Sequence, residues 1–193
     1  MHLQVDFKSS LIKCCPEPPQ YDHSVNVFDA VRTVRAIRRF QDGQVPADAV
    51  ARILEAGRLT ASAVNKQPWH FIVVRDRQQL VKLAAHTPTG RYIAQAAVAV
   101  VVVIDGSRWA VSDASRAIQN MMLVAWGEGI GSNWVGFTGM LDGLKPLLSI
   151  PPELDVVAVV PFGYPEGPLG KGKKRRKPMT QVAHLERFGE PYP

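Results

Sequence analysis

Between Ala94 and Ile104 only Gln95 interrupts a run of apolar side chains, and five of the seven residues from Val98 to Ile104 are valine. The run is too short to cross a bilayer as a helix, which takes about 20 apolar residues. Valine is branched at Cβ and favours extended backbone. An apolar run without polar alternation is the pattern of a strand buried on both faces. The core is therefore expected to form around a central strand ending at Ile104, with a short lead-in from Ile93.

The segments around it alternate between helical and extended patterns. Val25 to Ile37 carries apolar residues at 27, 28, 30, 31, 34 and 37, a helical spacing. Arg35 to Phe40 then leaves that helix, and Asp42-Gly43 marks a turn. A second helix opens at Pro46-Ala47-Asp48, buries Val50, Ile53, Leu54 and Gly57, and ends near Thr60. Trp69 to Val74 reads as a strand and Gln78 to Ala85 as a helix. Ser112 to Glu128 reads as the longest helix, with Ala114, Ala117, Ile118, Met121, Met122, Val124 and Ala125 on a wide apolar face. Asn133 to Phe137 is expected to be a loop or short strand, Asp142 to Leu148 a brief helix and Asp155 to Phe162 a buried strand. Such alternation places the chain in the α/β or α+β class.

Residues 1–24, with Cys14-Cys15-Pro16-Glu17-Pro18-Pro19, cannot hold a helix through the prolines and are expected to form an N-terminal arm. Residues 25–193 are then one domain with a C-terminal tail. Cys14 and Cys15 are the only cysteines, and no metal-ligand spacing accompanies them. Met1 to Asp6 lack a basic region followed by an apolar one, so a cytoplasmic protein is expected, with no membrane partner. A net charge of +6 favours anionic ligands without naming one.

Two stretches carry chemistry. Arg35, Arg38 and Arg39 crowd three guanidinium groups into five positions, a set suited to phosphate oxygens. Arg35 and Arg38 are three apart and would share one side of a helix end. Lys174 and Arg176 could close on the same anion from the far end of the chain. By themselves these residues are equally a solvated surface. Lys171 to Lys177 is by itself a basic loop; no aromatic residues interleave it, so nucleic acid is not the expected partner. The second stretch is Ser62-Ala63-Val64-Asn65-Lys66-Gln67-Pro68-Trp69. It offers hydroxyl and amide groups beside side chains small enough for a flat ring to approach, or is an ordinary turn into a strand. Recurrent catalytic signatures (GxGxxG, the Walker loop, G-x-S-x-G, H-E-x-x-H) are missing from the sequence. A cofactor is therefore expected to carry any reaction.

Arg35-x-x-Arg38-x-Phe40 followed by Ser62-x-x-Asn65-x-Gln67-Pro68-Trp69 resembles the paired signature of the FMN-dependent nitroreductase family. Gln119-Asn120-Met121-Met122-Leu123 with Gly129-Ile130-Gly131 resembles that family's central dimer helix. Val160 to Pro165 and Arg176-Lys177-Pro178 resemble its closing strand and tail, so the likeness spans roughly residues 25 to 190. The resemblance implies an α+β fold, a mostly antiparallel sheet flanked by helices, in an intertwined homodimer with FMN at the subunit interface. It implies phosphate and ribityl contacts from Arg35, Ala36, Arg38 and Arg39, joined by Lys174 and Arg176. Ser62, Ala63, Val64, Asn65 and Gln67 match the loop donated by the other subunit. Trp134, Val135 and Gly136 match the segment beside the flavin's reactive edge, with the Gly136 amide a candidate donor to N5. The implied activity is ping-pong hydride transfer from NAD(P)H through flavin N5 to a small-molecule acceptor such as a nitroaromatic or quinone. Val34 and Ala36 stand where the family often has an arginine and a serine, and Ala61 where it has proline. Residue types alone also admit a deazaflavin, or the same fold with flavin-fragmenting or dehalogenating chemistry. A non-enzymatic module with a nucleic-acid-binding basic tail is a further alternative.

Overall fold

The computed structural model describes residues 26–167 and 174–193. The expected arm at 1–24, with Cys14 and Cys15, and the start of the basic run at Lys171–Lys173 lie outside the described residues.

Four strands form one antiparallel sheet in the order β1 (Trp69–Val74), β2 (Val98–Ile104), β4 (Asp155–Gly163), β3 (Gly131–Ser132). The valine strand β2 is central, and all seven of its residues are buried. Its side chains divide with period two. Val98, Val100, Val102 and Ile104 enter one core with Ile53, Ile118 and Met121. Ala99, Val101 and Val103 enter the other with Leu80, Leu83, Leu141 and Leu144. A bulge opposite Val102 and Val103 keeps β4 in step, because Val157 is the extra residue there and shares a face with Ala158.

Helices cover both faces. Helix α2 (Ala47–Arg58) packs along α4 (Ala110–Gly127) over the first core. A Cβ on Gly57 would stand 3.0 Å from Met121, so the close approach of these helices needs glycine there. The Arg52 guanidinium donates two bonds of 2.7 Å to Glu128, just past the end of α4. Helix α3 (Arg77–Ala85) and the short α5 (Leu144–Leu147) cover the second core. This is an α+β fold with a mostly antiparallel sheet between helices, as the sequence led us to expect. No helix among the described residues is long and apolar enough to cross a membrane.

The first helix differs from expectation. Helix α1 spans only Val27–Thr33, capped by Asn26, whose side chain accepts from the Asp29 amide. Val34 already has extended backbone. Within α1 only Ala30 is buried, while Val27 and Phe28 are 78% and 73% exposed. The apolar periodicity continued to Ile37, but tertiary contacts take over after Thr33. The Ile37 amide donates to the Ser132 carbonyl at 2.8 Å, and Ile37 covers Gly131 so closely that a Cβ there would sit 2.6 Å from it. Arg35 and Arg38 therefore sit on an extended segment and not on one side of a helix end.

Candidate functional site

The arginine segment is held by backbone contacts to the β3–β4 edge. Ala36 bridges Ser132 in parallel and Phe40 bridges Pro165 in antiparallel. Gln41 donates to the Tyr164 carbonyl at 3.0 Å, and Glu166 donates to the Arg39 carbonyl at 3.1 Å. Phe40 is buried against Gly163, where a Cβ would meet its ring at 2.9 Å. With its neighbours fixed, this segment presents half-buried Arg35 and exposed Arg38 and Arg39.

Lys174 joins them from the far end of the chain. Its Nζ donates to the Val31 carbonyl at 2.8 Å, at the last turn of α1. Burial first, and then the Arg176 and Arg35 guanidinium groups, push the Lys174 ammonium below its ordinary value. Arg35 and Arg176 thus lie near enough to Lys174 to act on its charge. Crowded cations of this kind are stabilised by an anion with several oxygens.

The Ser62–Gln67 loop is built differently. Val64, Asn65 and Gln67 have φ of 46°, 56° and 49°, left-handed backbone in three non-glycine residues. For the β-branched Val64, which is 96% exposed, this is a strained conformation. The loop is nevertheless pinned. Ser62 Oγ accepts from the Gln67 amide at 2.8 Å, and the Gln67 side chain donates to Asn65 Oδ1 at 3.2 Å. The Ala63 amide donates at 3.0 Å to Asp113, a buried carboxylate in the first turn of α4 that also pairs with Arg116. The sequence reading missed Asp113. An acid in a first helical turn ordinarily reads as a partner of the helix dipole, and nothing local marks it as a long-range acceptor.

Trp134–Gly136 lies beside β4, where Val135 exchanges two backbone hydrogen bonds with Val159 at 3.0 and 2.9 Å. The segment is thus a strand of two residues, Gly131–Ser132, followed by an isolated bridge. The Trp134 indole donates to the Gly136 carbonyl at 2.7 Å. Gly136 has φ of 84°, and a Cβ would stand 2.5 Å from Leu141, so only glycine keeps this turn.

The Ser62–Gln67 loop and the arginine segment do not meet in one chain. The loop precedes Trp69, which pairs with Ile104 at one end of the sheet on its β1 edge. The arginine segment lies on the β3 edge at the other end, where Val98 pairs with Phe162. Val98 and Ile104 are about 20 Å apart along the strand. Helix α4 gives a second ruler. Its first turn holds the loop through Asp113, while Trp126 near its last turn donates to Thr33 beside the arginines. From Asp113 to Trp126 the helix rises about 20 Å.

A family model described as the nitroreductase family matches this chain over residues 31–105 and 89–164. The chain belongs to the nitroreductase family. A relative from Methanothermobacter thermautotrophicus, provisionally named NADH dehydrogenase/NAD(P)H nitroreductase, is 39% identical over 150 residues, covering 73% of this chain and 78% of that one. A relative from Archaeoglobus fulgidus under the same name is 39% identical over 146 residues, covering 70% and 83%. Among solved structures, a provisionally named nitroreductase from Desulfovibrio desulfuricans in complex with FMN has a TM-score of 0.74 at 33% identity, covering 86% of this chain and 98% of that one. An FMN-dependent nitroreductase from Clostridium difficile has a TM-score of 0.73 at 25% identity, covering 82% and 98%. A nitroreductase-family oxidoreductase thus accounts for both the order of motifs and the fold.

Proposed function

We propose that the chain is an FMN-dependent NAD(P)H oxidoreductase acting as a homodimer, with residues 25–193 as its single FMN-binding domain. The observation that carries this reading is the cationic corner formed by Arg35, Lys174 and Arg176. Its donor chemistry fits the phosphate of FMN, and exposed Arg38 and Arg39 extend it along the same segment. Ala36, with no bulk beyond Cβ, leaves room for the ribityl chain. The Trp134–Gly136 turn, fixed by the Val135–Val159 bridge, would flank the ring. When bound, FMN would supply two-electron chemistry, with NAD(P)H as the reductant and a nitroaromatic, quinone or similar molecule as the acceptor.

The chain's own residues bind and orient. The arginines and Lys174 hold the phosphate end, and a backbone amide of the 134–136 turn is offered to the reactive edge, as a preorganised donor. The Ser62–Gln67 loop reaches that site from a second copy, because its own copy places it at the far corner of the sheet. Exposed Val27 and Phe28 on α1 are apolar surface that such a second copy would cover.

The test is an absorbance spectrum of the protein with FMN, before and after anaerobic NADPH. Bound flavin bands that bleach are the expected result. No flavin, even after reconstitution, would overturn the reading. Bands that persist with NADPH and with NADH would overturn the assigned reductant.

A further inference from the structure

Asp113 is nearly fully buried, in the first turn of α4 and on the same face as buried Ala110, Ala114 and Ala117. A carboxylate is kept in such a place only when its oxygens are satisfied. One oxygen accepts from the amide of Ala63, fifty residues earlier in the chain, and the other faces Arg116. The segment it grips is the one with three left-handed non-glycine residues in four positions. Such backbone persists only where its surroundings hold it. The grip falls on the residue immediately before Val64, where the left-handed run begins.

We propose that Asp113 is a positioning residue for flavin binding: its carboxylate clamps the Ser62–Gln67 loop in the conformation that receives the FMN held by the partner copy's arginines. This rests on the FMN reading above. The loop is shaped before the cofactor arrives, so binding does not have to order it. The acceptor oxygen, and not the negative charge, is what the loop needs. Asparagine at 113 keeps such an oxygen, while alanine removes it and leaves a half-buried amide without its acceptor.

FMN titration of wild type, Asp113→Ala and Asp113→Asn, followed by flavin fluorescence, tests this. The expected result is a Kd raised at least tenfold in Asp113→Ala at unchanged stoichiometry per folded protein, and within threefold of wild type in Asp113→Asn. A role in folding alone would lower the number of sites titrated without raising Kd. Wild-type affinity in Asp113→Ala overturns the clamp, and so does equal loss in both variants, which would assign the effect to charge. Wild type that takes up no FMN overturns the FMN reading itself, and the clamp's purpose with it. Hydrogen exchange on the flavin-free wild type needs no variant to fold. The Ala63 amide is expected to exchange at least 100-fold more slowly than in unfolded chain, and exchange at the unfolded rate would overturn the clamp.

Discussion

The arginine corner and the loop corner sit at opposite ends of the same sheet and are stabilised by opposite means. Around Arg35 the backbone is extended, bonded into the β3–β4 edge, and packed by Ile37 and Phe40 onto glycines. Around Val64 the loop turns through strained, left-handed backbone and is held by side-chain acceptors, Ser62 Oγ and the Asp113 carboxylate. One corner gathers positive charge and the other presents a shaped, polar loop. They lie about 20 Å apart along α4, and this separation is what leads us to propose a site shared between two copies.

The largest effect should come from stripping the charge. Arg35→Ala combined with Lys174→Ala removes two charge-assisted contacts worth about 1.5–3 kcal/mol each. FMN titration should show at least a hundredfold loss of affinity (about 2.8 kcal/mol). Riboflavin, which lacks the phosphate, should lose less than about threefold. Equal losses for both ligands would break the assignment of this corner to the phosphate.

A smaller effect should follow from moving the same corner without touching its charge. Gly131→Ala places a Cβ 2.6 Å from Ile37 and must push the arginine segment outward. Overpacking of this sort costs about 1–3 kcal/mol, read as a lowered thermal midpoint. The FMN Kd should rise about tenfold, and an unchanged Kd would mean that the backbone pairing does not position the arginines.

Lys174 gives a signed test of crowding. Its folded-state value lies below its ordinary one because of burial, Arg176 and Arg35. The folded protein therefore binds this proton less well than the unfolded chain. The resulting cost is fully present below the lowered value and is relieved as pH climbs from there to the ordinary one. Lys174→Met should raise the thermal midpoint of the flavin-free protein while weakening FMN about tenfold. A lowered midpoint would show that the Lys174–Val31 bond outweighs the repulsion.

The smallest effect belongs to the loop. Asparagine tolerates left-handed backbone better than a β-branched residue, so Val64→Asn should stabilise the flavin-free protein by about 0.5–1 kcal/mol in chemical unfolding. Destabilisation would show that Val64 is not strained where it stands.

These predictions rest on features of unequal legibility. The valine run made β2 plain from sequence, with Trp69–Val74, α2, α3 and α4 falling within a few residues of expectation, because their periodicities agree with where they pack. The arginine segment was legible in composition and not in shape. Val34 and Ile37 extend the helical pattern of α1, and only contacts with Ser132 and Gly131, about a hundred residues away, turn that stretch into extended backbone. The left-handed residues at 64 and 67 leave no mark, being valine and glutamine; only Asn65 is of a type that visits such backbone readily. Asp113 was hidden for a similar reason: its acceptor role depends on a loop fifty residues earlier in the chain. The proposal that a second copy supplies that loop came from the likeness to a family; the sheet register sets the loop and the arginines at opposite ends.

Subunit complementation tests the shared site most directly. One subunit would carry Arg35→Ala/Lys174→Ala, and the other Ser62→Ala/Asn65→Ala, each unable to bind FMN tightly as a homodimer. In the hybrid dimer, intact arginines of one copy face the intact loop of the other at one site, while the second site carries both defects. The account predicts that mixing restores one site of wild-type FMN affinity per hybrid dimer. A hybrid that binds no better than its two parents would mean that each site is completed within one chain, and would contradict it.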